Sequence, residues 1–314
     1  MKGLFFIMVA AFFWGSDGLL RYPLLSSGKI HAETIVFYEH LILTLVFVPL
    51  SSFSSERGLP WKSFLTLPLR PSRHLFYFLV IGAGGAALAT VCYTRAFSLI
   101  NPSLVILLQK LQPLVAILLA GWFLREPISK EFILWALVCL AGAFLISFHD
   151  LEKIWGLSAS SSQGLGDTLF EEGSLKGYLY ALAAVVGWGA STVFGKKLTL
   201  AGYGTTQIMQ GRYIVALAVL TPLMLGKGHS FAISSPHFFQ ISLMAAVSGL
   251  FGIYFYYRGL RLVSAKVCTL GELFFPLAAV FFNWVFLDLS VHPLQLVGGG
   301  MLLIGAFMVQ IKRY

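Results

Sequence analysis

LFYFLVIGAGGAALATVCYTR, residues 75–95, runs without a charged side chain until Arg95 closes it. A helix that crosses a bilayer needs about 20 mostly apolar residues. Within hydrocarbon the backbone must bond to itself, so an isolated stretch of this kind is read as a spanning helix. The small-residue spacings Gly82/Ala86 and Gly85/Ala89 let a second helix approach closely.

Working outward, similar stretches recur near 3–21, 33–51, 103–123, 131–149, 177–195, 205–225, 238–257, 266–287 and 293–311. Breakers divide them, among them Pro23, Pro60, Pro71, Pro127, Gly202, Gly228 and Pro293. Lys2 followed by Leu4–Phe13 resembles a signal peptide, but apolar character continues through Leu19-Leu20, so it reads as a retained helix. The sequence therefore predicts an all-α integral membrane protein of ten transmembrane helices.

Composition agrees. The 314 residues are 58% hydrophobic and 11% charged, against roughly 25% charge in soluble domains. The net charge of +9 lies in short clusters between apolar runs, such as Lys196-Lys197 and Lys312-Arg313. That pattern sets membrane orientation and argues against a nucleic-acid partner. With the N-terminus in the cytoplasm, most Lys and Arg fall inside, which predicts that both termini are cytoplasmic. Cys92, Cys139 and Cys268 lie in apolar runs and form no disulfide or zinc pattern. No histidine spacing suggests a metal, and no cofactor is expected.

The chain is internally duplicated. Tyr93-Thr94-Arg95-Ala96-Phe97 matches Tyr256-Tyr257-Arg258-Gly259-Leu260 at an offset of 163. Pro113 matches Pro276, and Gly142-Ala143-Phe144 matches Gly305-Ala306-Phe307, at the same offset. Upstream the offset is 173 or 174: Trp14-Gly15 matches Trp188-Gly189, and Val48-Pro49-Leu50 matches Thr221-Pro222-Leu223. An odd number of spans per repeat makes the copies enter the membrane in opposite directions. Two inverted five-helix repeats follow, residues 1–149 and 177–314, joined by an external flexible linker at 150–176 rich in Ser and Gly. Inverted halves can close alternately around a central site.

With these residues in view, the chain resembles the drug/metabolite transporter superfamily in its EamA-domain branch. The likeness rests on Trp14-Gly15-Ser16 and Trp188-Gly189-Ala190, Tyr93/Arg95 and Tyr256/Arg258, Pro113 and Pro276, Glu126, and the Gly142 and Gly305 endings. It implies a ten-span carrier that exports small metabolites such as amino acids or drug-like solutes. The family usually places an Arg in the second span of each half. Arg212 fits, whereas Glu39 replaces it in the first half, and Leu289 stands where Glu126 would predict an acid.

Ionisable residues inside spans are costly and face protein or water. Asp17, Glu39, Lys110, Arg212 and Glu272 are of this kind. Trp14, Asp17 and Arg21 share one helix face, read either as a cavity wall or as an Asp17–Arg21 pair at the interface. Gln109, Lys110 and Gln112 precede Pro113, and Gly271-Glu272 precede Pro276. Interrupted helices at corresponding places point to a binding site, or else to simple kinks. The candidate substrate-binding set is thus Trp14, Asp17, Gln109, Lys110, Gln112, Trp188 and Glu272. Glu39, Lys110, Arg212 and Glu272 are candidates for gating or proton coupling, as ion pairs Glu39–Lys110 and Arg212–Glu272. Trp122, Tyr93, Tyr256 and Tyr257 are further candidates for an aromatic cavity.

No P-loop is present, so a secondary transporter with a small-molecule substrate is expected rather than an ATPase. The alternatives are a membrane-embedded enzyme acting on a lipid or isoprenoid, and an assembly factor. Neither His-Glu-x-x-His nor Gly-x-Ser-x-Gly occurs, and no enzymatic activity is expected.

Overall fold

The computed structural model describes residues 2–26, 28, 30–53, 73–100, 102–154, 174–287 and 292–311. Those residues form ten helical spans and no strand. Eight of the spans are long and apolar enough to cross a membrane, from Lys2–Leu25 to Ala265–Phe282. Lys130–Ile154 and the shorter apolar Pro293–Ile311, spans five and ten, complete the set. Large apolar side chains such as Phe5, Leu118, Phe239 and Phe307 stand exposed on the outside, as lipid requires. The expected linker falls largely outside the described residues. Helix persists to Ile154 and resumes at Ser174, beyond the limits of 149 and 177 read from apolarity. Residues 151–154 contain no helix breaker, so the helix outlasts the apolar run.

Span four is Pro102–Gln109, a turn at Lys110-Leu111, and Gln112–Leu119. Span nine is Ala265–Glu272, a turn at Leu273-Phe274, and Phe275–Leu287. The breaks share one cause. Pro113 and Pro276 bring no N–H, so the carbonyls four residues back lose their helical donor. The chain tightens instead: Lys110 N–H donates to the Leu107 carbonyl at 3.0 Å and Leu273 N–H to the Leu270 carbonyl at 3.2 Å. Spans three and eight share a second irregularity, π-helical stretches at Val80–Ala89 and Ala245–Gly252. Span one breaks at Ser16, between Lys2–Gly15 and Asp17–Ser26, whereas span six runs unbroken over Ser174–Leu200.

The repeats interpenetrate. A Cβ added at Gly15 of span one would lie 2.6 Å from Ala278 of span nine. At Gly189 of span six it would lie 2.9 Å from Val115 of span four. Each repeat's first span thus packs into the opposite repeat. Spans five and ten pack on each other through Gly142, whose added Cβ would meet the Gly298 carbonyl oxygen at 2.6 Å. Gly142→Ala should therefore lower the melting temperature in detergent, at about 1–3 kcal/mol for overpacking against backbone. Gly300→Ala on span ten, where a Cβ meets nothing within 4 Å, should be neutral. Equal melting of the two variants would contradict this packing.

Candidate functional site

A cavity of about 160 Å³ lies between the halves. Trp14, Asp17, Glu39, Gln109, Lys110, Gln112, Trp188, Arg212 and Glu272 all line it, with Pro113 and Pro276 beside them. The lining comes from eight spans, one to four and six to nine.

Two aromatic pairs stand in the wall. The Trp14 ring lies 5.4 Å from Tyr256 and its Nε1 donates to the Ser248 carbonyl at 3.1 Å. The Trp188 ring lies 4.8 Å from Tyr93 and its Nε1 donates to the Gly85 carbonyl at 3.0 Å. Ser248 and Gly85 are related by the same offset of 163 as Tyr256 and Tyr93, and both sit in the π-helical stretches. Such stretches shift the hydrogen-bond ladder and recur at functional sites. Each indole thus ties its own repeat to the opposite one. Trp122 is no part of this wall: it is 78% exposed on the lipid-facing side, because its place late in span four turns it outward. Tyr257 is buried behind the wall, with its hydroxyl accepting from Arg212.

The charges group differently from the expected ion pairs. The Glu39 carboxylate pairs with Arg21 at 3.1 Å, not with Lys110. Arg21 Nε also meets Asp17 at 2.7 Å, and its NH1 donates to Thr94 at 3.0 Å. This cluster is buried in the cavity wall; Arg21 is 3% exposed. Sequence reading saw the Asp17–Arg21 spacing but not Glu39 across the groove, because nothing along the chain links residues 21 and 39. Arg212 donates to Ser191 and Tyr257, at 3.1 and 3.2 Å, rather than to Glu272. Glu272 instead accepts from Gln112 at 2.5 Å and Thr192 at 3.4 Å, and Tyr256 donates to Thr192 at 2.8 Å. Thr94, Ser191 and Thr192 were missed because hydroxyls in spans carry no sequence signal of their own. Among the described residues Arg212 Nε and Gln109 Oε1 are buried without a hydrogen-bond partner. A buried donor and acceptor left open beside a cavity are available to a ligand.

The halves are also tied at both ends. At the end away from the N-terminus, Glu33 of span two is 2% exposed and meets Arg95, Lys227 at 2.7 Å and His229 at 3.6 Å. At the other end, Glu126 accepts from Ala265 N–H at 2.8 Å and Lys266 N–H at 3.1 Å, capping the first half of span nine. Lys196 donates to the Leu260 and Val263 carbonyls at 2.8 and 2.6 Å.

His229 lies in the segment after span seven, where burial and then the like charge of the stacked His31, 4.2 Å away, hold its pKa below the usual imidazole value. Arg95 and Lys227 push the same way, while Glu33 opposes them. A depressed pKa means that stability is present above the ordinary imidazole range, about 6.5, and lost as pH falls through the lower folded value. The melting temperature should fall between pH 7 and pH 5, and His229→Gln should flatten that slope. An unchanged slope would remove His229 from the account.

The model of the EamA-like transporter family matches residues 1–148 and 175–311. The chain belongs to the EamA-like transporter family. It is 28% identical over 315 residues to the riboflavin transporter ImpX of Fusobacterium nucleatum, covering 98% of this chain and 97% of that one. It is 24% identical to the uncharacterized transporter YetK of Bacillus subtilis, over 91% of this chain and 82% of that one. A solved crystal structure matches with a TM-score of 0.71 at 16% identity, covering 99% of this chain and 97% of its own, and shows the fold alone. The chain is therefore a multi-pass transporter of small molecules embedded in a membrane, and not an enzyme.

Proposed function

We propose that this EamA-family transporter is a secondary carrier for a planar heteroaromatic metabolite of riboflavin's kind. Two aromatic pairs and an open donor and acceptor in one cavity carry the reading. Stacking on Trp and Tyr holds a flat ring, and polar groups at its edge fix orientation. The name of the Fusobacterium relative supports the same class. An amino-acid substrate would find Arg212 and Glu272 facing only neutral partners, since Arg21, Asp17 and Glu39 pair with one another, but it would leave the two aromatic pairs with no flat ring to hold.

The carrier works by alternating closure of its two halves, with repeats at 1–149 and 177–314. It lies in a bacterial cytoplasmic membrane with both termini in the cytoplasm, and export is the direction the resemblance implies. Fusions of a topology reporter after residues 62, 160 and 314 are expected to report inside, outside and inside.

The deciding experiment is flux of riboflavin, and separately of amino acids, through proteoliposomes and through cells with and without the chain. Riboflavin movement without chemical change supports the proposal. Amino-acid flux alone would replace it, and net accumulation inside cells would reverse the direction.

A further inference from the structure

Arg212, on span seven, has Glu39 of span two as its counterpart at the offset of 173. The two halves therefore look electrostatically opposite at this place. Their contacts are not opposite. Arg212 NH1 donates to Ser191 Oγ at 3.1 Å and to the Tyr257 hydroxyl at 3.2 Å. Ser191 corresponds to Asp17 at the offset of 174, and Tyr257 to Thr94 at the offset of 163. In the first half Asp17 and Thr94 are bonded by Arg21: Nε to Asp17 at 2.7 Å, NH2 to Asp17 at 3.1 Å, and NH1 to Thr94 at 3.0 Å. One guanidinium in each half thus rests against the same two related positions.

The residues at the roots of these side chains complete the exchange. The counterpart of Arg21 is Gly195, where an added Cβ would already lie 3.0 Å from the Tyr257 ring. A side chain there would crowd that ring, and none is needed, because Arg212 reaches the Tyr257 hydroxyl from span seven. In the first half Glu39 occupies the span-two root and holds Arg21 NH2 at 3.1 Å. Both guanidinium groups line the cavity.

We propose that Arg21 is the first half's copy of the Arg212 guanidinium, relocated from span two to span one, with Glu39 as its counterion. Together Arg21 and Arg212 form a pseudo-symmetric pair of cationic donors for electron-rich oxygen atoms on the substrate. In this structure Arg212 carries the open donor, its Nε, whereas Nε, NH1 and NH2 of Arg21 are all engaged. Inverted halves exchange conformations between the two states of an alternating-access cycle. The open donor then passes to Arg21 in the opposite state.

The test relocates the guanidinium again, and it rests on the carrier reading only for its flux arm. Arg21→Ala leaves Asp17 and Glu39 facing each other, and Glu39→Arg sets two guanidinium groups side by side. Each single variant should melt early and lose at least about tenfold in riboflavin flux. The double variant Arg21→Ala with Glu39→Arg copies the second half's arrangement. It should recover the wild-type melting temperature and return flux to within about threefold of wild type. Arg21→Ala with Glu39→Gln, neutral at both places, should fold but stay about tenfold slow. The relocation is wrong if the Arg21→Ala/Glu39→Arg double melts no later than the single variants. The donor role is wrong if that double is stable but inactive, or if the neutral double transports like wild type. If wild-type protein carries no riboflavin the substrate reading fails, and the melting comparison still decides the relocation.

Discussion

Replacing Glu33 with alanine is expected to destabilise the protein more than any other substitution of a charged residue outside the cavity. Glu33 is 2% exposed, and on it converge Arg95 of span three, Lys227 at 2.7 Å and His229 at 3.6 Å. Arg95 is held in turn by the Tyr180 hydroxyl of span six at 2.9 Å, with its guanidinium 5.6 Å from the ring. One carboxylate therefore joins four spans from both repeats. Its loss leaves two cations facing each other with nothing between them. Breaking a buried pair costs about 3–5 kcal/mol. Side chains of Arg95 and Lys227 are 28% and 33% exposed, so solvent screening puts the expected loss at the lower end. Glu33→Gln should keep the packing and lose most of the same stability. If the tie holds that end of the cavity shut, Glu33→Ala should also speed alkylation by an impermeant reagent of a cysteine placed at Thr90, which lines the cavity. Normal melting together with unchanged labelling would mean that Glu33 ties nothing.

What could be read along the chain was whatever the offsets preserve at one position. The breaks before Pro113 and Pro276, the Trp14 and Trp188 anchors and the Tyr93 and Tyr256 rings all keep register between repeats, and all meet at one cavity. Arg21 escapes that method. It reaches a place in space that its sequence counterpart, Gly195, cannot, and it does so from a neighbouring helix. Pairing Glu39 with Lys110 compared residues in register and overlooked a side chain long enough to cross. Helix ends failed for a related reason. Apolarity marks where lipid ends, whereas the helix at Ile154 continues while its backbone can still bond. Trp122 shows a third limit: an aromatic at a span's edge serves lipid as readily as a cavity, and only its direction separates the two.

Trp14→Ala and Trp188→Ala should be the most damaging substitutions within the cavity, and they should damage it about equally. Each indole packs at a tilt against a tyrosine of the other repeat and donates to a carbonyl in a π-helical stretch, at 3.1 Å for Trp14 and 3.0 Å for Trp188. Space is tight around Trp14: a Cβ at Gly252 would stand 2.6 Å from its Nε1. Truncating a packed tryptophan costs about 3–5 kcal/mol through lost contacts and an unfilled void. Phenylalanine keeps one six-membered ring and loses the second ring and the hydrogen bond, so only part of that cost remains, about 1 kcal/mol of it from the hydrogen bond. Trp14→Phe and Trp188→Phe should accordingly fold well. If the two rings serve only as struts, the phenylalanine variants should transport a flat substrate as wild type does, with unchanged KM. If the rings are also the stacking surface, KM should rise with the smaller ring, by about tenfold for each lost kcal/mol and a half. Fluorescence quenching by riboflavin should then fall by a similar share in each variant, since either indole is a donor to the bound ring. Loss of quenching in one variant alone would show that the substrate leans on one repeat, and the symmetric reading of the cavity would fail.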